Sequence, residues 1–210
     1  MRKKVYLILM LVPVLLFSLV ACGKDDNKIE AVRLRANSYL VISDNEFSRQ
    51  IGDLVTISFP EKLDQPPIGS LALISMNDTI RESYPPQADA KAVELINEKA
   101  KVVTDPNTAE RIAWHLGENA FLIDVRTEAE YTGGHISGAI LMPPEVIADS
   151  LIDKVPDREA VLLLYCRSGN RSAAAAKIVR ELGYSVVIDA GGVIAYEGDL
   201  VTGSDPGPMP

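Results

Sequence analysis

The chain has 210 residues, 47% hydrophobic and 24% charged, enough for one medium domain or two small ones with cores of their own. Its 29 acidic residues outnumber 21 basic ones, giving a formal charge of −8, which disfavours nucleic acid and anionic lipid as partners. With two cysteines and two histidines in all, a zinc site has almost no material.

Residues 1–21, MRKKVYLILMLVPVLLFSLVA, carry Arg2, Lys3 and Lys4, then an apolar stretch and a small-residue exit, which is the pattern of an export signal. The ending Leu19-Val20-Ala21-Cys22 resembles the bacterial lipobox, and that resemblance implies cleavage before Cys22 and lipid attached to its sulfur. The alternative is a single membrane-crossing helix, because Val5 to Cys22 approaches the ~20 apolar residues a span needs. Either way the remainder is expected outside the cytoplasm, held to the membrane by its anchor only. Loss of Arg2, Lys3 and Lys4 would lower the formal charge by three to −11. Cys166 would then be the one free thiol, with no partner for an intrachain disulfide.

Residues 22–28 read as a polar tether. From 29 to 97, runs of period two such as DLVTISFP, GSLALISMND and TIRESYP, bounded by Asp, Asn and Pro, predict short antiparallel strands in a small all-β barrel or curled sheet. The segment TIRESYPPQADAKAVELI resembles the last strand of small OB-like domains in exported proteins. That resemblance implies a binding or spacer role for the barrel.

After 104 the pattern changes to alternating helices and strands. Asp105-Pro106-Asn107-Thr108 predicts a helix start, and Gly117 its stop. FLIDV predicts a strand, and Thr127-Glu128-Ala129-Glu130 a capping box. AVLLLYC reads as a strand buried on both faces, SAAAAKIVREL as a helix halted by Gly183, and SVVIDA as another strand. Such alternation predicts a parallel α/β sheet with right-handed crossovers. The tail, 201–210, is expected to be disordered.

The stretch YCRSGNRS places Cys166 at the carboxyl end of a buried strand, where open α/β sheets present ligands. The helix that follows aims unsatisfied N–H groups and its positive end at the loop, Arg167 and Arg171 add charge, and Gly169 lets amides converge. These features predict a thiol acidified below the free value of ~8.5 and nucleophilic at rest. The C-x4-R spacing makes a cradle smaller than the C-x5-R loop of cysteine phosphatases. It suits a persulfide sulfur better than a phosphoryl group and argues against a phosphatase or arsenate reductase.

These residues resemble the rhodanese (thiosulfate sulfurtransferase) family across 104–200, preceded by the OB-like barrel. Leu122-Ile123-Asp124-Val125-Arg126, Glu130 to Ala139, Cys166 to Ser172, and Ala190-Gly191-Gly192-Val193 occur in the family's order. The resemblance implies that Cys166 carries sulfane sulfur as a persulfide, cradled by Arg167, Ser168, Gly169, Asn170, Arg171 and Ser172. It implies a thiosulfate-like donor, a thiol or cyanide acceptor with a protein thiol among the candidates, and no metal or organic cofactor. Asp124, Arg126 and His135 are expected to support loops, with Arg126 pairing to Glu130 or a neighbouring loop. Tyr196 stands where many members have Trp, and Ser137 replaces a frequent Pro, which leaves fold and chemistry intact but alters the pocket rim. The alternative function is a non-enzymatic module that senses or binds persulfide or sulfide.

Overall fold

The computed structural model describes residues 27–42, 52–77 and 79–208. Cys22, the expected signal and most of the tether lie outside them. No described helix is long and apolar enough to cross a membrane.

Five strands form a closed barrel: β1 Lys28–Arg35, β2 Ser38–Val41, β3 Leu54–Ser58, β4 Leu71–Met76 and β5 Gln87–Asn97, ordered β1-β2-β3-β5-β4. The β1–β4 pair closes the ring. Every pairing is antiparallel except β3 with β5. Two expectations change here. The strand expected in TIRESYP reduces to one bridge between Arg81 and Gln87, and the long strand starts only past Pro85 and Pro86, whose nitrogens cannot donate to a ladder. Lys28, assigned to the tether by sequence, already belongs to β1.

Alternation along the strands divides their side chains between two cores. Ile29, Ala31, Tyr39, Val41, Val55, Ile57, Ala72 and Ile74 fill the barrel. Val32, Leu34, Leu40 and Leu54 pack instead with Ala109, Ile112 and Ala113 of the following helix. The two units therefore share one apolar seam.

The second unit runs β6 Val102–Val103, α1 Pro106–Leu116, β7 Ala120–Asp124, α2 Glu128–Thr132, β8 Ile140–Leu141, α3 Ile147–Lys154, β9 Val161–Cys166, α4 Asn170–Glu181 and β10 Val186–Gly192. Its sheet, ordered β6-β10-β9-β7-β8, is parallel throughout. Asp105 caps α1 by accepting from the amides of Asn107 and Thr108. Thr127 and Glu130 form the expected capping box, and Gly117 and Gly183 follow α1 and α4 with positive φ.

Strand β9 is buried along its whole length. Val161, Leu163 and Tyr165 face α1, whereas Leu162, Leu164 and Cys166 face α3 and α4. This alternation delivers the sulfur to the α4 side of the sheet.

The tail departs from the disorder expected of 201–210. Val201 and His135 exchange two backbone hydrogen bonds of 2.8 and 2.9 Å, Gly203 N donates to Thr132 O, and Gly138 N to Pro206 O. Ser137 Oγ, at the position noted for its missing proline, donates to Pro208 O. The segment 201–208 is thus tied to the loop after α2, because that loop leaves amides and carbonyls that need partners.

Candidate active site at the Cys166 loop

Cys166 ends β9, its residue is only 1% exposed, and three residues later Gly169, with φ of 99°, caps α4. That left-handed φ is open to glycine at no steric cost. It turns the chain so that the Gly169 amide donates to Cys166 Sγ at 3.1 Å. Burial pushes the thiol up, but the amides of Ser172, Ser168, Gly169 and Arg171 donate to the sulfur, and the balance falls below the ordinary cysteine value. The sulfur thus sits under a ring of donors at a helix N-terminus.

The expected cradle residues divide into distinct parts. Ser168, Gly169, Arg171 and Ser172 supply the amides. Asn170 opens α4, and exposed Arg167 contributes its carbonyl, which accepts from Ile194 N at 3.3 Å. The side chain of Arg171 is held by Glu130 through two contacts of 2.8 Å each. The Glu130 pair, then the charge and hydrogen bond of Cys166, hold the guanidinium protonated. Arg171 therefore lends the sulfur a cation already fixed in place by a carboxylate.

Behind the loop lies a support that sequence reasoning missed. Ser172 Oγ donates to Asp189 Oδ1 at 2.6 Å and lies 2.8 Å from Gly169 O. Asp189 also accepts from Gly191 N, and its backbone carbonyl from Thr104 N. Gly192 packs so closely that a Cβ there would meet Ser168 Cα at 2.6 Å and Arg167 O at 2.7 Å. The signal was present: an acid closing the apolar strand SVVIDA, followed by a glycine pair. For Glu130 the sequence suggested Arg126 as one candidate partner and not Arg171.

Of the two partners expected for Arg126, Glu130 or a neighbouring loop, the structure gives the loop. Arg126 grips buried Asp124 through Nε and Nη2 at 2.6–2.9 Å, donates to Gly134 O, and lies 5.8 Å from the Tyr165 ring centre. The Asp124 side chain also accepts from the Arg126 amide. This pair fastens the turn after β7 to the loop after α2. His135 is buried, stacked on Tyr131 with ring centres 3.7 Å apart, and its two nitrogens meet the carbonyls of Tyr131 and Asp205. Both ring nitrogens are engaged by backbone, as befits a structural histidine. Among the described residues, no group of three or more His, Cys, Asp or Glu side chains could hold a metal.

Residues 106–199 match the rhodanese-like domain family. The thiosulfate sulfurtransferase PspE of Escherichia coli is 37% identical over 71 residues, 34% of this chain and 68% of that protein. A sulfurtransferase of Allochromatium vinosum is 38% identical over 80 residues, 38% of this chain and 73% of that protein. The thiosulfate sulfurtransferase GlpE of Pseudomonas entomophila is 33% identical over 92 residues, 41% of this chain and 83% of that protein. Among solved structures, a rhodanese with anions from E. coli is 33% identical, spanning 40% of this chain and 99% of that one, with a TM-score of 0.39.

Proposed function

Because the chain belongs to the rhodanese-like family, we propose that it is a sulfurtransferase that moves sulfane sulfur from a thiosulfate-like donor to a thiol or cyanide through a persulfide on Cys166. The observation that carries this reading is the Cys166 sulfur itself, held at the end of β9 before the first turn of α4, with the Gly169 amide donating to it at 3.1 Å.

The Cys166 thiolate attacks the outer sulfur of thiosulfate. The donor's S–S bond breaks, and sulfite leaves with its electron pair. The terminal sulfur of the persulfide inherits negative charge, and the amides of Ser168, Gly169, Arg171 and Ser172 stabilise it where it develops. A thiolate or cyanide then attacks that sulfur and returns Cys166 to the thiolate. Arg167, exposed at the mouth, attracts the anionic donor, while Arg171, Asp124, Arg126 and His135 keep the loops in place. No cofactor is called for.

The same reading places the protein on the outer face of a bacterial membrane, anchored by lipid on Cys22 after removal of 1–21. It takes 29–97 as an OB-like spacer or binding domain and 104–200 as the catalytic domain. The five-strand order with its single parallel pair supports the first assignment. A protein thiol at the cell surface is a further acceptor within this scheme.

Incubation with thiosulfate and cyanide should release thiocyanate, and intact mass should show one added sulfur. The reading fails if wild type and Cys166→Ser behave alike. The near-complete burial of Cys166 favours a second reading, in which the module captures sulfane sulfur as a sensor. High persulfide occupancy with negligible turnover on any acceptor would select it.

A further inference from the structure

A cavity unrelated to the cysteine loop lies where the barrel meets the far end of α4. It holds about 430 Å3, and its walls include Ile68, Glu98, Lys99, Arg180, Tyr184 and Ser185. Both units build it. Ala100 N donates to Gly69 O, and Gly69 lies so near the Ser185 backbone that no Cβ fits between them.

Arg180, a wall residue, and Arg158, which packs on the wall residue Tyr184, each have one guanidinium donor without an acceptor among the described residues. Arg180 Nη2 donates to Val187 O at 2.9 Å, but its Nε is buried and finds no partner among the described residues. Arg158 lies over the Tyr184 ring, 4.5 Å from its centre, and its Nη1 is likewise buried and unpartnered. The Arg158 carbonyl takes the amide of Ser185, another wall residue. A buried donor left unmade costs ~1–3 kcal/mol, more when charged, so each is uncommon in a native fold.

Two nearby carboxylates are already engaged. Asp189 is held by Ser172 and Gly191, and Asp157 by Arg35 and the Glu159 amide. Of the lining residues only Glu98 is acidic, against Lys99 and Arg180. Pro67, Ile68 and Ala100 supply an apolar wall. The volume lies within the ~300–1,000 Å3 of small-molecule sites, too large for a lone inorganic ion.

We propose that this groove binds a small organic carboxylate, its head group taken by Arg180 and Lys99 and its apolar body laid along Pro67 and Ile68. The site is independent of sulfur transfer. Calorimetric titration of the full chain with butyrate, hexanoate, benzoate and phenylacetate at constant ionic strength tests it, with inorganic phosphate and hexylamine as controls. At least one carboxylate should bind saturably at one per chain. Its affinity should fall tenfold or more in Arg180→Gln and in Ser185→Glu, and survive in Cys166→Ser. Ser185 is exposed, so its variant remains informative if Arg180→Gln fails to fold. The proposal is overturned if none of the four binds, if phosphate binds as well as they do, or if Ser185→Glu leaves the affinity unchanged.

Discussion

Ser172 on the first turn of α4 donates its hydroxyl to Asp189 on β10 at 2.6 Å, joining the cysteine loop to the neighbouring strand. Since Asp189 also receives Gly191 N, one carboxylate sets the distance between the loop and the glycine pair. Asp189→Ala should free Ser172 and let the amides drift from the sulfur. The alkylation-rate profile of Cys166 should then move up toward ~8.5, and sulfur transfer should drop about tenfold or more. An unchanged profile would show that the amides hold without this strut.

Gly192 is a second point of contact. Its missing Cβ would collide with the backbone of Arg167 and Ser168, atoms that cannot swing aside as a flexible side chain can. Gly192→Ala should displace the loop, costing about 1–3 kcal/mol and lowering turnover far more than the melting temperature suggests. Thermal unfolding measured alongside thiocyanate release separates the two effects.

The Arg171–Glu130 pair gives a pH signature. The hydrogen bonds from Arg171, then those from Thr127, hold the Glu130 carboxyl down at about 2, below the ~4.3 expected in an unfolded chain. A depressed carboxyl stabilises the fold above its unfolded pKa, and that contribution is lost as pH falls through the folded value. Both side chains are partly exposed, so screening limits the effect to about 1 kcal/mol. Glu130→Gln should be less stable than wild type by that amount at pH 7, with the gap closing between roughly pH 4.3 and 2 in denaturant titrations.

The tail is the last test. Removing 201–210 would leave the His135 amide and carbonyl and the Thr132 carbonyl without the partners they now have. It would also strip the Asp205 carbonyl from the buried His135 ring. At ~1 kcal/mol for each of these four net hydrogen bonds, the truncated chain should lose about 4 kcal/mol, or roughly 8–16 °C in melting temperature. A tail that merely trails in solvent would leave the melting temperature where it was.

The elements of the α/β unit and the place of Cys166 were legible because they depend on local rules. A run of six apolar residues reads as a buried strand, Asp105 and the Thr127–Glu130 box announce helix starts, and Gly169 allows a left-handed turn. In each case the cause lies within a few residues along the chain. The strand in TIRESYP was misread because its alternation resembles a ladder, while Pro85 and Pro86 move the pairing downstream to Gln87.

What the linear chain determined by itself was the sulfur at a strand's end beneath a helix start, since strand, turn and helix are contiguous there. Tertiary structure alone decided which carboxylate holds which arginine: Glu130 with Arg171 across 41 residues, Asp124 with Arg126 two residues away. It also decided that 201–208 lies against the His135 loop. The physical reason is that charges and hydrogen-bonding groups on a chain have many partners compatible with composition and spacing. Only the packing of the sheet brings one of them within about 3 Å while removing water from the rest.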